Sequence, residues 1–92
     1  MNIIQKPVSN FTVGRMGYKP EAIVIHIAEG SLDGAYSWFN NPQAQASSHY
    51  MIGKNGEIWQ FVKDEDMAWH AGAVASPGWS LLKSGVNPNL YT

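Results

Sequence analysis

Cysteine is absent from the chain, which excludes disulfide bonds and thiolate metal sites and leaves the redox compartment undetermined. Charge is also scarce: six basic and seven acidic side chains give a formal net charge of −1, so nucleic acid is not an expected partner. No apolar run approaches the length that spans a membrane, and the N-terminus lacks the features of a signal peptide. We therefore expect no membrane partner and assign no localisation.

Apolar and aromatic residues are plentiful instead. A chain of 92 residues with 45% hydrophobic and 14% charged side chains predicts one ordered domain, although its core must be thin at this size. Four tryptophans, four tyrosines and three phenylalanines are many for this length. Such rings fill small cores, and they also line grooves that bind sugars and peptides. The chain shows no internal repeat and no domain linker.

The most apolar segment is IVIHIA at residues 23–28, which is followed by Glu29 and Gly30. A short run that is apolar at both parities predicts a strand over residues 22–28 that is buried on both faces. A core strand has no evident use for an imidazole. His26 is therefore either a hydrogen-bonded core histidine or a metal ligand or proton carrier near the end of a central strand, where sites tend to form.

A helix is predicted to follow this strand. Ser31 is a suitable N-cap, and Asp33 lies in the first turn, where the helix dipole favours an acid. Two asparagines followed by Pro42 end the helix. The apolar stripe has helical spacing and consists of Leu32, Ala35, Tyr36 and Phe39.

The clearest local signal is Asn55-Gly56, which lies between apolar runs at residues 48–53 and 58–62. This dipeptide predicts a two-residue hairpin loop with a type I′ turn. Such a loop sets the register of the two strands and therefore the face on which each side chain lies. The residues expected to share the packed face are Tyr50 opposite Phe61 and Ile52 opposite Trp59.

The remaining segments lack a regular period. Residues 1–21 and 73–89 are predicted to be irregular because glycine and proline recur in them. Residues 63–66 are a charge cluster that predicts a solvated turn, and residues 90–92 predict the start of another strand. If that strand is unpaired, its open sheet edge favours self-association.

Three histidines are candidates for chemistry: His26, His49 and His70. Together they match a three-histidine zinc site with an open position for water, although their spacing is no local motif. Each has a structural alternative, because His49 can pack on a strand and His70 can organise a loop. Glu29, just past the predicted strand, is either a catalytic acid or an exposed loop residue. The residues alone leave these alternatives open.

Four segments, in order, carry a resemblance to a known family. They are residues 23–30 (IVIHIAEG), 37–42 (SWFNNP), 47–62 (SSHYMIGKNGEIWQFV) and 68–72 (AWHAG). This set is similar to the zinc-dependent N-acetylmuramoyl-L-alanine amidases of phage endolysins, cell-wall recycling enzymes and peptidoglycan recognition proteins. The resemblance implies an α/β fold, a mixed β-sheet with flanking helices, and peptidoglycan or muropeptide as the partner.

The resemblance also implies chemistry. In the family, a zinc ion above the sheet polarises the amide between N-acetylmuramic acid and L-alanine, and its bound water attacks. His26 matches the first zinc ligand. His49 and His70 match recurrent histidines that are not usual ligands, which argues against the three-histidine site. The residues expected to bind substrate are His70, Trp69, Ser48 and Glu29.

The family's second zinc histidine, its third ligand and its glutamate base are expected beyond Thr92. We therefore expect residues 1–92 to be the N-terminal part of a single amidase domain, incomplete at its C-terminus, and we assign no catalytic residue within it. Catalytic zinc takes about three protein ligands, so the chain alone is expected to be inactive and to bind zinc poorly. The lack of a signal peptide fits a phage or prophage lysin that is made in the cytoplasm and acts on the cell wall.

Two alternatives belong to other classes. The chain could be a non-catalytic peptidoglycan-binding module, and binding without cleavage would favour that interpretation. It could also be a self-associating piece whose open sheet edge pairs with a second copy, which sizing chromatography would detect. The side chains expected to form a stacking surface in the binding module are Tyr36, Trp38, Trp69 and Trp79.

Overall fold

The computed structural model of the protein describes residues 2–26, 30–71, 83 and 85–92. The elements among them are β1 (Ile3–Gln5), β2 (Phe11–Thr12), α1 (Leu32–Phe39), β3 (Tyr50–Ile52), β4 (Ile58–Gln60) and β5 (Met67–Ala68), with short 3-10 helices at Pro42–Ala44 and Pro88–Leu90. Strand β4 lies between β1, which is parallel to it, and β3, which is antiparallel. Strands β2 and β5 form a separate antiparallel pair. A mixed sheet beside a helix confirms the predicted α/β class.

The hairpin of β3 and β4 forms, but its predicted register is wrong by one residue. Gly53 N donates to the carbonyl of Glu57 at 2.8 Å, and Gly56 N donates to the carbonyl of Gly53 at 3.0 Å. The loop therefore has three residues, and Gly56 takes the left-handed position with φ of 84°. As a result, Trp59 is opposed by Met51 and not by Ile52, the partner predicted from the sequence.

This shift exchanges the two faces of β3 relative to β4, because successive strand residues point to opposite sides. Trp59 is buried and Met51 packs against the core, whereas Tyr50 and Ile52 are 38% and 68% exposed. The outward position also gives Tyr50 a partner, since its hydroxyl donates to Asp64 Oδ1 at 2.7 Å. This hydrogen bond stabilises Tyr50 in its outward position.

Helix α1 packs on the inner face of the hairpin, as predicted. Ser31 Oγ accepts from Gly34 N at 3.0 Å and caps the N-terminus. The rings of Tyr36 and Phe39 lie 6.3 and 5.4 Å from that of Phe61, measured between centroids. The buried core against which the helical stripe packs is formed by Val8, Trp59, Phe61, Val62 and Ala68.

The buried strand predicted over residues 22–28 is not observed in its described part. Residues 21–26 belong to no sheet, and residues 27–29 lie outside the described residues. Ile23 and Ile25 are 90% and 89% exposed. No described strand pairs with this segment, since the sheet has the order β1-β4-β3 and the outer edges of β1 and β3 are unpaired among the described residues. Without a neighbouring strand, the backbone groups of residues 21–26 have no ladder of hydrogen bonds to join.

The N-terminal segment is more regular than predicted. In β1, Ile3 pairs with Ile58 of β4, and in β2, Phe11 pairs with Ala68 of β5. Strands of two or three residues are too short to show a period in the sequence. β1 and β2 form because they pair with strands more than 50 residues away in the sequence.

Residues 90–92 do not begin a strand, and this prediction is wrong. Pro88–Leu90 is a 3-10 helix in which the Asn87 side chain accepts from Asn89 N at 3.0 Å. Proline at the first position and asparagine as N-cap favour this short helix. The residues from Pro88 to Thr92 are buried, so the open sheet edge expected there does not exist. Self-association through another edge stays a prediction.

The charge cluster forms the predicted turn at residues 64–65, with Asp64 and Glu65 exposed. Asp66, by contrast, is half-buried, and its Oδ1 accepts a hydrogen bond from Gly14 N at 2.9 Å. Most of the loop predicted over residues 73–89 lies outside the described residues. Within the part of the chain that the structure describes, no helix is long and apolar enough to cross a membrane.

Candidate functional site

An open groove with a volume of about 1260 Å³ lies where the three histidines meet. Four of the five predicted site residues are among those that line it: His26, Ser48, Trp69 and His70. The fifth, Glu29, lies outside the described residues. Sequence reasoning missed two lining residues, Arg15 and Thr92, which prove central to the geometry. The roles of the predicted residues stay predictions.

His26 is exposed at the groove and faces His70. The Nε2 atom of His26 lies 3.4 Å from Nδ1 of His70, and the two rings are nearly perpendicular with centroids 5.6 Å apart. This is a long contact for a hydrogen bond, since N–H···O bonds in proteins are usually about 2.7–3.2 Å long. The two nitrogens thus face each other without a strong bond between them.

The tautomer of His70 follows from Thr92. Thr92 Oγ1 lies 2.7 Å from the carbonyl oxygen of Pro88 and 3.0 Å from Nε2 of His70. Because a carbonyl only accepts, the hydroxyl donates to Pro88 and its oxygen accepts from His70. The His70 proton is therefore on Nε2, and the lone pair is on Nδ1, the atom that faces His26.

The neutral form of His70 is also favoured. Burial lowers the pKa of His70, and the neighbouring His49 acts in the same direction, against a hydrogen bond to Thr92 that raises it. The backbone of the histidine is held as well, since Asn89 Oδ1 accepts from the amides of His70 and Ala71 at 3.1 and 2.8 Å. The segment from Pro88 to Thr92 thus fixes the position of His70 through Asn89 and its tautomer through Thr92.

His49 is held by the interior of the protein. Its Nε2 lies 3.0 Å from Nη2 of Arg15 and 2.9 Å from the carbonyl oxygen of Asp66. In the neutral ring this atom either accepts from Arg15 or donates to Asp66, so the two contacts compete. Burial lowers the pKa of His49, and the charge of Arg15 lowers it further, while the contact with Asp66 raises it. Either tautomer leaves Nε2 engaged within the protein.

Arg15, for which the sequence predicted no role, donates hydrogen bonds to the turn at Asp64 and to the segment from Asn89 to Thr92. Its Nε donates to the carbonyl of Asp64 at 2.8 Å, and its Nη1 lies 3.4, 3.2 and 3.0 Å from the carbonyls of Asn89, Leu90 and Thr92. Only 6% of the residue is exposed. The partners lie 49 to 77 positions away in the sequence, so no local motif could have revealed them.

Trp69 and Ser48 are fixed on the wall of the groove. The backbone of Trp69 exchanges hydrogen bonds with the amide and the hydroxyl of Ser47, both at 2.9 Å, and its indole donates to Thr12 Oγ1 at 2.9 Å. The Ser48 hydroxyl donates to the carbonyl of Tyr50 at 3.0 Å. Trp69 therefore presents a rigid ring, whereas the Ser48 proton is already used within the protein.

The wider stacking surface predicted for a binding module is only partly present. Tyr36 is half-buried against Trp59 and Phe61 and does not line the groove, so the structure does not place it in the stacking surface. Trp38 is 54% exposed on α1, beside the groove rather than in it. Trp79 lies outside the described residues.

The donor set fits a zinc ion in part. His26 offers an exposed imidazole nitrogen, which is a ligand type that zinc prefers. However, the described residues contain no group of three or more histidines, cysteines or acids that could hold a metal ion. The described residues therefore do not form the three-histidine site that the histidine count allows.

Comparisons with known proteins identify the family of the chain. The sequence profile of a family described as N-acetylmuramoyl-L-alanine amidase matches residues 16–91. The N-acetylmuramoyl-L-alanine amidase A of Achromobacter lyticus is 42% identical over 69 residues, which are 74% of this chain and 39% of that relative. The chain thus spans less than half of the length of this relative. No solved structure matches the chain significantly. The chain belongs to the N-acetylmuramoyl-L-alanine amidase family.

Proposed function

We propose that the chain contributes to a peptidoglycan hydrolase that cleaves the amide between N-acetylmuramic acid and L-alanine, with His26 as a zinc ligand. The observation that carries the proposal is the exposed Nε2 of His26, which lies at a groove large enough for an extended ligand. Family membership supports the reaction class. The name of the Achromobacter lyticus relative supports it as well.

When bound, zinc supplies a Lewis acid that polarises the amide carbonyl and activates a water molecule. The residues of this chain supply the setting for that chemistry. His26 holds its imidazole at the groove, and Trp69 offers a fixed aromatic surface on which a sugar or peptide can lie. Arg15 and the buried segment from Pro88 to Thr92 support the groove from below by ordering the backbone around His70.

The isolated 92-residue chain is predicted to be inactive. Catalytic zinc takes about three protein ligands. The described residues contain no group of three or more side chains that could hold a metal ion. Activity is therefore proposed for this chain when it is joined to residues that complete the ligand set.

A chimera tests the proposal. We would replace the matching portion of the Achromobacter lyticus amidase with this chain and incubate the product with purified peptidoglycan. Amidase action releases new amino termini of L-alanine without new reducing sugars, and we expect this pattern from the chimera. We expect none from the 92-residue chain alone.

The matched control is the chimera that carries His26→Ala. It should lose activity, because a catalytic zinc site does not retain function with a ligand missing. Full activity of this variant, or release of reducing sugars by the parent chimera, would contradict the proposal.

A second candidate function is a non-catalytic peptidoglycan-binding module. It is favoured by the fixed ring of Trp69 in a groove for which the described residues supply no complete set of metal ligands. The test is co-sedimentation of the chain with cell-wall sacculi. Trp69→Ala should weaken sedimentation, whereas Trp38→Ala, which removes an exposed tryptophan outside the groove, should not. Equal effects of the two substitutions would count against a specific site.

A further inference from the structure

We propose that Asp64 is a specificity residue of the groove, where its carboxylate binds an ammonium group of the ligand, such as the free side-chain amine of a peptidoglycan stem peptide. Asp64 lines the same groove as Trp69 and His70. Its role rests on the proposed function, because the ligand is the one that the groove is proposed to bind. Two features of Asp64 support this role: its carboxylate is held in place, and its charge has no ionic partner.

The carboxylate is held by Tyr50, a residue of β3 that also lines the groove. The Tyr50 hydroxyl donates to Oδ1 of Asp64 at 2.7 Å and accepts from Nε2 of Gln60 at 3.1 Å. Burial and the hydrogen bond to Asp64 raise the pKa of Tyr50 to about 12, so the phenol keeps its proton at neutral pH. A hydrogen bond to an ionised acceptor is stronger than one between neutral groups, and it orients the carboxylate relative to the sheet.

The backbone of Asp64 is held by Arg15. The Nε atom of Arg15 donates to the carbonyl oxygen of Asp64 at 2.8 Å. Its Nη1 lies near the carbonyls of the C-terminal segment, and its Nη2 contacts His49. The guanidinium therefore bonds to the backbone of Asp64 and to other groups, and it leaves the carboxylate of Asp64 available to a ligand.

The negative charge of Asp64 has no ionic partner in the described part of the chain. All six lysine and arginine residues of the sequence lie in that part, and the ion pair found there joins Lys83 to Glu21. Asp64 is exposed, and Oδ1 is the oxygen that accepts from Tyr50. Because an ionised carboxylate can accept about four hydrogen bonds, Asp64 has unused acceptor capacity at the groove.

An ammonium group matches this carboxylate in charge and in hydrogen bonding, since it carries three donors and no acceptor. A side chain that is already oriented loses less conformational freedom on binding than a mobile surface acid does. Stem peptides of peptidoglycan contain a diamino acid, whose side-chain amine is protonated at neutral pH wherever it is not cross-linked. We therefore expect Asp64 to favour stem peptides whose amine is free.

Co-sedimentation of the 92-residue chain with two preparations of cell-wall sacculi tests this role. One preparation keeps its free amines, and in the other acetic anhydride has converted them to neutral amides. We expect acetylation to weaken binding about three- to fivefold, as the loss of a partly exposed charge pair does. Asp64→Asn should weaken binding to the untreated sacculi by the same factor and should bind both preparations equally.

Two matched controls separate a contact with Asp64 from a general effect of negative charge. Glu65→Gln removes an exposed acid next to Asp64 that does not line the groove, and Glu57→Gln removes one that does. Both variants should keep the preference for free amines. Asparagine keeps a side-chain oxygen that can accept from Tyr50, so Asp64→Asn should retain the local structure.

The possible outcomes separate this role from the proposed function. Equal binding of the unchanged chain to both preparations would overturn the role of Asp64 and leave peptidoglycan as the ligand. A preference for free amines that persists in Asp64→Asn, or that is lost equally in Glu57→Gln, would also overturn it. Binding to neither preparation would overturn the role of Asp64 and count against the binding module, while the chimera would still test the hydrolase.

Discussion

At the scale of the residue, Arg15 has the largest structural consequence. It is buried, and its guanidinium lies within hydrogen-bonding distance of four backbone carbonyls, three of them in the segment from Asn89 to Thr92. Arg15→Ala would leave several of these carbonyls without a donor. Since each buried polar group left unpaired costs about 1–3 kcal/mol, we expect the free energy of unfolding to fall by about 3 kcal/mol.

Urea denaturation measures this change. The matched control is Lys54→Ala, which removes an exposed cation from the hairpin loop and should alter the free energy of unfolding by less than about 0.5 kcal/mol. If the two substitutions have equal effects, Arg15 does not hold the C-terminal segment.

His49 makes stability depend on pH. Burial and the charge of Arg15 lower its pKa, so the unfolded chain, in which a histidine has a pKa of about 6.5, binds the proton more readily. The unfolded state therefore gains protons first as the pH falls, and the free energy of unfolding decreases below about pH 7. Urea denaturation between pH 5 and pH 8 should show this slope. His49→Gln should reduce it, while His70, whose pKa is also lowered by burial, should supply the slope that remains. An unchanged slope in the variant would contradict the prediction.

The sequence identified the residues that line the groove more readily than it identified the residues that hold them in place by hydrogen bonds. His26, Ser48, Trp69 and His70 were found through ordered motifs, and they do line one groove. Arg15 was missed because its partners are backbone carbonyls, which leave no trace in residue types. The same holds for the hydroxyl of Thr92, whose role depends on a carbonyl and a ring brought close by the fold.

At the scale of the element, local sequence signals predicted which helices and strands form better than they predicted how the strands pair. Helix α1 was predicted because its cap and its apolar stripe are both local features. The hairpin was also predicted, but its register depended on whether one or two loop residues take positive φ. Strands β1, β2 and β5 were missed because they are short and exist only through distant partners.

The hairpin loop gives a prediction that separates the two registers. Gly56 has φ of 84°, and a Cβ built there would meet nothing within 4 Å, so Gly56→Ala costs only backbone strain. We expect a loss of about 1 kcal/mol in the free energy of unfolding. A three-residue loop leaves Asn55 at negative φ, so Asn55→Ala should cost less than about 0.5 kcal/mol.

Thermal or urea unfolding of the two variants provides the measurement. A type I′ loop requires positive φ at Asn55 as well as at Gly56, and alanine would then be costly at both positions. Equal losses in the two variants would therefore restore the register predicted from the sequence and contradict the one observed.

At the scale of the whole molecule, the groove lies between two buried regions of different character. One is the apolar core between α1 and the hairpin. The other is polar, and it gathers the segment from Pro88 to Thr92 around the guanidinium of Arg15. The α/β class was predictable because it depends on the number and order of elements. The polar region was not, because it depends on backbone hydrogen bonds between distant segments.

The segment before α1 gives the last prediction, which concerns the extent of the core. The sequence predicts that Ile25 lies in a buried strand, whereas the structure leaves 89% of it exposed. Ile25→Ala should therefore change the free energy of unfolding by less than about 0.5 kcal/mol. The matched core substitution is Val62→Ala, which removes two buried methyl groups and should cost about 2 kcal/mol. Urea denaturation of both variants compares the two losses, and a cost at Ile25 equal to that at Val62 would place the segment in the core after all.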